Sequence, residues 1–371
     1  MVPSSPFRRV RAATLAALLT APAATAQETA DPAESAQTEA AGAPYVIALG
    51  SCNSQEGDQA YWDVIAAEDP DAFLFLGANV YGDSWDPEKE KRQFSIDRVR
   101  AAYDRFADSE PFSRFRRRVP IYPMWDDHDY GLNDAGAELP FKAESKQALL
   151  DFFDFEQEPQ LAGRDGLYYA IEKQYQGRQI QILMLDTRWH RSPLAETDGR
   201  IEGRLGSYVD DPDPAKTILG PRQEAWLAEQ LAKPADVRIV ASSIQILADG
   251  HHFERWGNLP AARGRLYSML AGSEAEHVLL VSGDRHAGGL YRLDGVTGYP
   301  LYELTASSLN RGRDRDPLDE YGPHQLSTLY GPENYGLISL DFAHDTVALD
   351  LHDAATGRRV RGVTVPLAEL R

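Results

Sequence analysis

The chain holds a single cysteine, Cys52, among 371 residues, so no intramolecular disulfide can form. It is also short of positive charge: 38 Lys and Arg stand against 57 Asp and Glu, a formal net charge of −19. A surface of that sign repels nucleic acid and anionic membranes. It repels phosphate compounds as well, unless cations in a local site reverse the field. No stretch approaches the ~20 apolar residues that span a bilayer. No Gly-x-Ser-x-Gly turn is present, which removes the usual signature of an α/β serine hydrolase. Internal repeats are absent too.

What is present is an ordinary globular composition, 43% hydrophobic and 26% charged, enough for one large domain. Residues 1–26 read as a secretory signal peptide. Arg8, Arg9 and Arg11 precede a small apolar run from Ala12 to Ala24, and Ala24-Thr25-Ala26 offers a small-x-small cleavage site. Arg8-Arg9 is a candidate twin-arginine pair whose flanking residues fit that pattern loosely. Removing 1–26 takes the net charge to −22 and sends the rest to the periplasm or outside the cell. Residues 27–43, rich in Ala, Glu, Thr and Ser, read as a disordered tether before a domain over 44–371.

Within that domain apolar runs alternate with helical patterns. Tyr45–Leu49, Ala72–Leu76, Val119–Met124, Val237–Ala241, Val278–Val281 and Leu301–Thr305 read as buried strands. Helices are expected over 58–67, 88–107, 144–153 and 220–232, and a β-hairpin over 167–172 and 179–185. Pro193, several glycines and the Asp/Pro cluster at 210–214 mark a long surface loop. Three strand-like runs, 336–342, 347–351 and 360–365, close the chain. This order predicts a layered α/β core with a mixed sheet or two packed sheets.

The densest chemistry is Trp125-Asp126-Asp127-His128-Asp129-Tyr130-Gly131-Leu132-Asn133-Asp134, directly after an apolar strand. Four Asp and a His there are able to hold a cation, and His128 and Asn133 are suited to phosphate. Carboxylates this close repel one another, and a metal ion relieves that repulsion. The bland reading is an acidic turn closed by Gly131. Similar polar groups follow four other strands: Cys52-Asn53, Asn79 to Asp83, Asp186-Thr187-Arg188, and Asp284-Arg285-His286. Ligands gathered from several strand ends are what a two-metal phosphoesterase needs. A loop with His251, His252, Glu254 and Trp256 is a candidate lining for a substrate cleft.

Ser51-Cys52-Asn53, Leu76-Gly77-Ala78-Asn79-Val80-Tyr81-Gly82-Asp83 and the 125–134 stretch together resemble the alkaline phosphatase D (PhoD-like) branch of the metallophosphatases. So do Leu-Asp-Thr-Arg at 185–188, Ala-Ser-Ser-Ile-Gln at 241–245, Ser-Gly-Asp-Arg-His at 282–286 and Glu-Leu-Thr-Ala-Ser-Ser-Leu-Asn at 303–310. The resemblance covers about residues 45–365. It implies an αββα sandwich of two mixed β-sheets flanked by helices, with metals at the shared edge. It further implies a phosphomonoesterase or phosphodiesterase using iron and calcium, acting on a small-molecule phosphoester. By the same resemblance Cys52 and Tyr81 ligate one ion, and Asp127 ligates the second. Asp284 and His286 add ligands or phosphate contacts, and His128 is the general acid. Arg188 and Asn79 hold the substrate phosphate.

One position departs from the family. Where the family carries the Asp that bridges both metals, this chain has Ala78. A methyl group cannot ligate. Three accounts fit the sequence: an inactivated variant, a natural member that binds a phosphate ligand without turning it over, or a site in which Asp83 or Asp126 substitutes.

Overall fold

The computed structural model describes residues 42–155, 158–197, 206–273 and 275–371. The expected signal peptide and nearly all of the tether lie outside the described residues. Residues 41–371 form one compact unit. Among the described residues no helix is long and apolar enough to cross a membrane.

Two six-stranded mixed sheets make up the core. The first runs in the order Arg359–Pro366, Thr346–Asp353, Asn334–Asp341, Tyr45–Gly50, Ala72–Leu76, Ile121–Met124. Its three C-terminal strands pair antiparallel, and its last three run parallel. The second runs Gly289–Leu293, Leu301–Thr305, Val278–Ser282, Val237–Ala241, Arg178–Met184, Tyr169–Tyr175. Its four central strands are parallel, and each edge strand is antiparallel to its neighbour.

The side-chain period of two explains how these sheets stack. Ile180, Ile182, Val237, Ile239, Leu279 and Val281 share one apolar cluster with the first sheet. The intervening Leu183, Val240, Val278 and Leu280 join a second cluster with Trp226, Leu227 and Leu231 of the helix Gly220–Leu231 and Leu266 and Leu270 of the helix Pro260–Gly272. On the first sheet, Phe73 and Phe75 meet rings from four helices. These rings are Trp62 (Tyr61–Ala66), Phe106 (Ile96–Ala107), Phe115 (Glu110–Arg116) and Phe153 (Lys142–Phe153). Helix, sheet, sheet, helix is the expected sandwich.

Three local expectations change. The helix expected from residue 88 starts at Ile96, because Ser95 accepts the Arg98 N–H as its N-cap. Lys91–Phe94 instead pairs with Asp83–Asp86 in a hairpin, which lets Arg92 reach Asp83 at 2.8 Å and Asn133 at 2.7 Å. The helix expected from residue 58 begins at Tyr61. The helix Pro260–Gly272 was not among those expected, although Pro260 at its first turn is a start signal. Part of the long loop, 198–205, lies outside the described residues.

Trp62 is fully buried, with the Phe73, Phe112 and Phe115 ring centroids 4.9–5.1 Å away. Trp62→Ala leaves a cavity under the first sheet and lowers unfolding free energy by about 3–5 kcal/mol. Urea denaturation of the two proteins measures it; a midpoint within error of the parent contradicts the packing described.

Candidate active site

The carboxyl ends of the parallel strands from both sheets meet at one edge, and their loops are tied across it. Leu309 N–H donates to Ser51 O at 2.9 Å, and Ser51 Oγ donates to Ala306 O at 3.1 Å. Cys52 and Asn53 N–H donate to Gly77 O and Ala78 O. Five non-glycine residues in these loops adopt left-handed backbone: Cys52 (φ 57°), Ala78 (47°), Asp134 (54°), Asp284 (64°) and His286 (51°). Each such residue is strained by about 1–3 kcal/mol, and that strain concentrates at functional sites. Gly77 has φ 93°, and a Cβ there would lie 2.5 Å from Asp126 Cβ, so the two loops touch only with glycine in place.

Carboxylates crowd this edge. Oxygen atoms of Asp126, Asp127 and Asp284 lie within 4.8 Å of one another, and so do those of Asp127, Asp134 and Glu254. Asp127 belongs to both groups. Burial, together with the neighbouring acids, pushes Asp126 up to about 6 and Asp134 to about 7, and raises Asp284 well above the usual carboxylate range. Asp127 is also buried, but His128, Arg188 and the backbone N–H groups of His128 and Asp134 hold it below its ordinary value. Asp126 Oδ2 is buried without a hydrogen-bond partner, as is Asn79 Oδ1. An orphaned carboxylate oxygen beside two further acids suits a cation, whose charge removes both the repulsion and the missing bond.

Beneath these groups sits Arg188, wholly buried. Its Nε donates to Asp126 Oδ1 at 2.7 Å, and its Nη1 lies 2.7 Å from Glu254 Oε2. Arg191 grips Glu254 from another side at 2.9 Å. Ser243 Oγ, from the loop after Val237–Ala241, also donates to Asp126 at 2.6 Å.

His128 begins a second chain of contacts. Its Nδ1 bonds Asp83 Oδ1 at 2.5 Å, leaving Nε2 free, 3.9 Å from Asp127 Oδ2. Burial disfavours the imidazolium, but Asp127 and Asp83 overcome it and raise the His128 pKa. The Tyr81 ring lies 4.1 Å from that of His128, and its hydroxyl is 3.1 Å from His286 Nε2. Burial, with the charges of His128 and Arg311, lowers His286 to about 3 and keeps it neutral with a lone pair available. Cys52 Sγ accepts from Ser307 Oγ at 3.2 Å, and burial raises its thiol. Thiolate character there requires a cation.

Tyr81, Asp127, His128, Asp284 and His286, five of the residues singled out from sequence, line one cleft of about 780 Å³ with Asp134, Glu254 and His252. Three others sit outside its lining. Cys52 is fully buried. Arg188 lies under the carboxylates, where Asp126 and Glu254 occupy its guanidinium. Asn79 turns its amide N–H to Met124 O (2.8 Å) and Asp129 Oδ2 (2.6 Å). Asp129 was counted among the cation-holding groups, yet its oxygens accept from Asp126, Ala78 and Asn79 N–H and so knit the loops together. Arg311 and Arg313 were missed, and only their position after the strand Leu301–Thr305 signals them; Ser307 lies within the 303–310 motif but was given no role.

A profile of PhoD-like phosphatases matches residues 47–344. The chain belongs to the PhoD-like phosphatase family. It is 25% identical over 194 residues to alkaline phosphatase D of Bacillus subtilis (strain 168), a match covering 45% of this chain and 31% of that protein. The matched region thus spans less than a third of that relative. Among solved structures, one of PhoD superposes over 87% of this chain and 72% of its own, with TM-score 0.66 and 18% identity. Purple acid phosphatase PPD1 from yellow lupin (Lupinus luteus) matches over 87% and 54% (TM-score 0.57, 11% identity). GAP50, the anchor in the inner membrane complex of Plasmodium, matches over 87% and 89% (0.53, 11%). These likenesses establish the metallophosphatase-type fold.

Arg188→Met leaves Asp126 buried beside other acids without its cation and Glu254 with Arg191 alone. Stability falls by about 3–5 kcal/mol in metal-free buffer, read by denaturant unfolding. A loss under about 1 kcal/mol contradicts the buried pairing.

Proposed function

We propose that this PhoD-like protein is an exported, metal-dependent phosphoester hydrolase. The observation that carries the reading is the pair of carboxylate groups sharing Asp127 beside a histidine whose Nε2 is free. Asp126, Asp127 and Asp284 are the donors for one cation, and Asp127, Asp134 and Glu254 for a neighbouring one. Cys52, Tyr81 and His286 are further candidate donors by family resemblance, iron and calcium being the ions that resemblance suggests. Bound cations would supply charge neutralisation at phosphoryl oxygens and activation of water.

The chain's own residues supply the rest. Asp83 fixes His128 with Nδ1–H directed at its carboxylate, and Arg92 and the Asn133 N–H fix Asp83 in turn. His128 Nε2–H then donates a proton to the leaving alkoxide as its bond to phosphorus breaks and water oxygen becomes the new phosphate oxygen. The Asp83 hydrogen bond favours the protonated imidazole that this step needs.

Ala78 bears on how fast this proceeds. It is buried and left-handed, a backbone state that Asp and Asn tolerate better than Ala. Asp126, with its orphaned oxygen, supports partial substitution for the missing bridge. Asp83 does not, because His128, Arg92 and Asn133 already occupy it. The second reading is a phosphate-ligand binder without turnover, favoured by Ala78 alone.

Hydrolysis of a chromogenic phosphomonoester and a phosphodiester by the mature chain and by Ala78→Asp, with metal content read on both, separates the two. The substituted protein is expected to bind more metal and gain about 100-fold or more in kcat/KM, since even outer groups around a metal are worth 10–100-fold. Binding without turnover in both proteins favours the binder. Equal turnover means that Ala78 is fully compensated.

A further inference from the structure

This inference rests on the phosphoesterase reading and concerns which esters the cleft takes. Four arginines line the cleft: Arg92, Arg285, Arg311 and Arg313. Two are neutralised by acids. Arg92 pairs with Asp83 at 2.8 Å, and Arg285 pairs with buried Glu320 and lies 4.4 Å from the Phe253 ring centroid. Arg311 and Arg313 have no carboxylate partner among the described residues.

Their segment is nevertheless held in place. Arg311 N–H donates to Ser308 Oγ at 2.5 Å, and Arg313 N–H donates to Gly331 O at 2.7 Å. A Cβ at the intervening Gly312 would lie 2.4 Å from Glu333 N, so this stretch packs tightly on the chain beneath it. The Arg311 guanidinium carbon sits 4.2 Å from the Tyr81 ring centroid. Arg313 is half-buried, and burial together with Arg285 holds its pKa below the usual arginine value. Neither guanidinium makes an ion pair although the chain carries a net charge of −19; Arg311 is exposed, and Arg313 feels only the more distant charge of Glu320. Their repulsion, and that with Arg285, is relieved by an anion. That anion is not one of the metal-site carboxylates, none of which reaches either guanidinium at ion-pair distance.

We propose that Arg311 and Arg313 form a second anion subsite, so that the favoured substrates are phosphoesters bearing another phosphate group besides the one that is cleaved. A guanidinium fork matches phosphate oxygens in number and geometry.

Calorimetric titration of the full chain, in calcium, with propane-1,3-diyl bisphosphate and with propyl phosphate tests this without requiring turnover. The bisphosphate is expected to bind about 10-fold tighter or better. That ratio falls about fivefold or more in Arg313→Met and in Arg311→Met, while Arg313→Lys, which keeps the charge, retains most of it. If propyl phosphate binds and the ratio is near one, or if the Met variants weaken both ligands equally, the subsite is overturned and the phosphoesterase reading stands. If calcium binds but neither phosphate compound does, both fall.

Discussion

Everything at the working edge of this protein depends on keeping buried carboxylates closer together than they would choose to be. At a separation under 5 Å and an effective dielectric near 20, each pair of like charges repels by about 3–4 kcal/mol. Five acids converge there, and Asp127 stands in both groups. The fold tolerates this because Arg188 is buried against Asp126 and Glu254, and because backbone N–H groups clamp Asp127. Arg188 therefore holds the acids in place, and a bound cation, as proposed, would complete the neutralisation. The same arginine is too occupied to hold a substrate.

The sandwich makes that convergence possible. Parallel strands in both sheets deliver their carboxyl ends to one edge, so loops far apart in sequence become neighbours. Left-handed backbone at Cys52, Ala78, Asp284 and His286 turns each loop sharply as it leaves its strand. Such conformations persist only where surrounding bonds over-determine them. The ties between Leu309 and Ser51, and between Asp129 and the residues 78, 79 and 126, do so here. Ala78 keeps this geometry with a methyl group where the family resemblance leads one to expect a carboxylate.

Much of this was legible in the residue order. Apolar runs ended where polar groups began, which marked the segments 79–83, 125–134 and 284–286, and the family resemblance picked out Tyr81, Asp127, His128, Asp284 and His286 within them. The sandwich followed from the family resemblance. Partnership across long separations was not legible. Arg188 finds Asp126 62 residues away and Glu254 66 residues away, and no local pattern encodes either contact. Asp129 looked like its neighbours because spacing cannot tell which of four acids accepts backbone N–H groups. The hairpin over 83–94 hid inside a helical pattern because Ser95, a strong N-cap, decides where the helix starts.

Sharing of Asp127 is the claim on which the account turns, and counting bound cations tests it most directly. Calcium or manganese titrated into the metal-free parent, Asp127→Asn and Asp284→Asn should give distinct patterns. The account predicts two sites in the parent, both weakened at least about 10-fold in Asp127→Asn, and only one weakened in Asp284→Asn. Loss of a single site in Asp127→Asn, or a parent that binds no divalent ion, would contradict it.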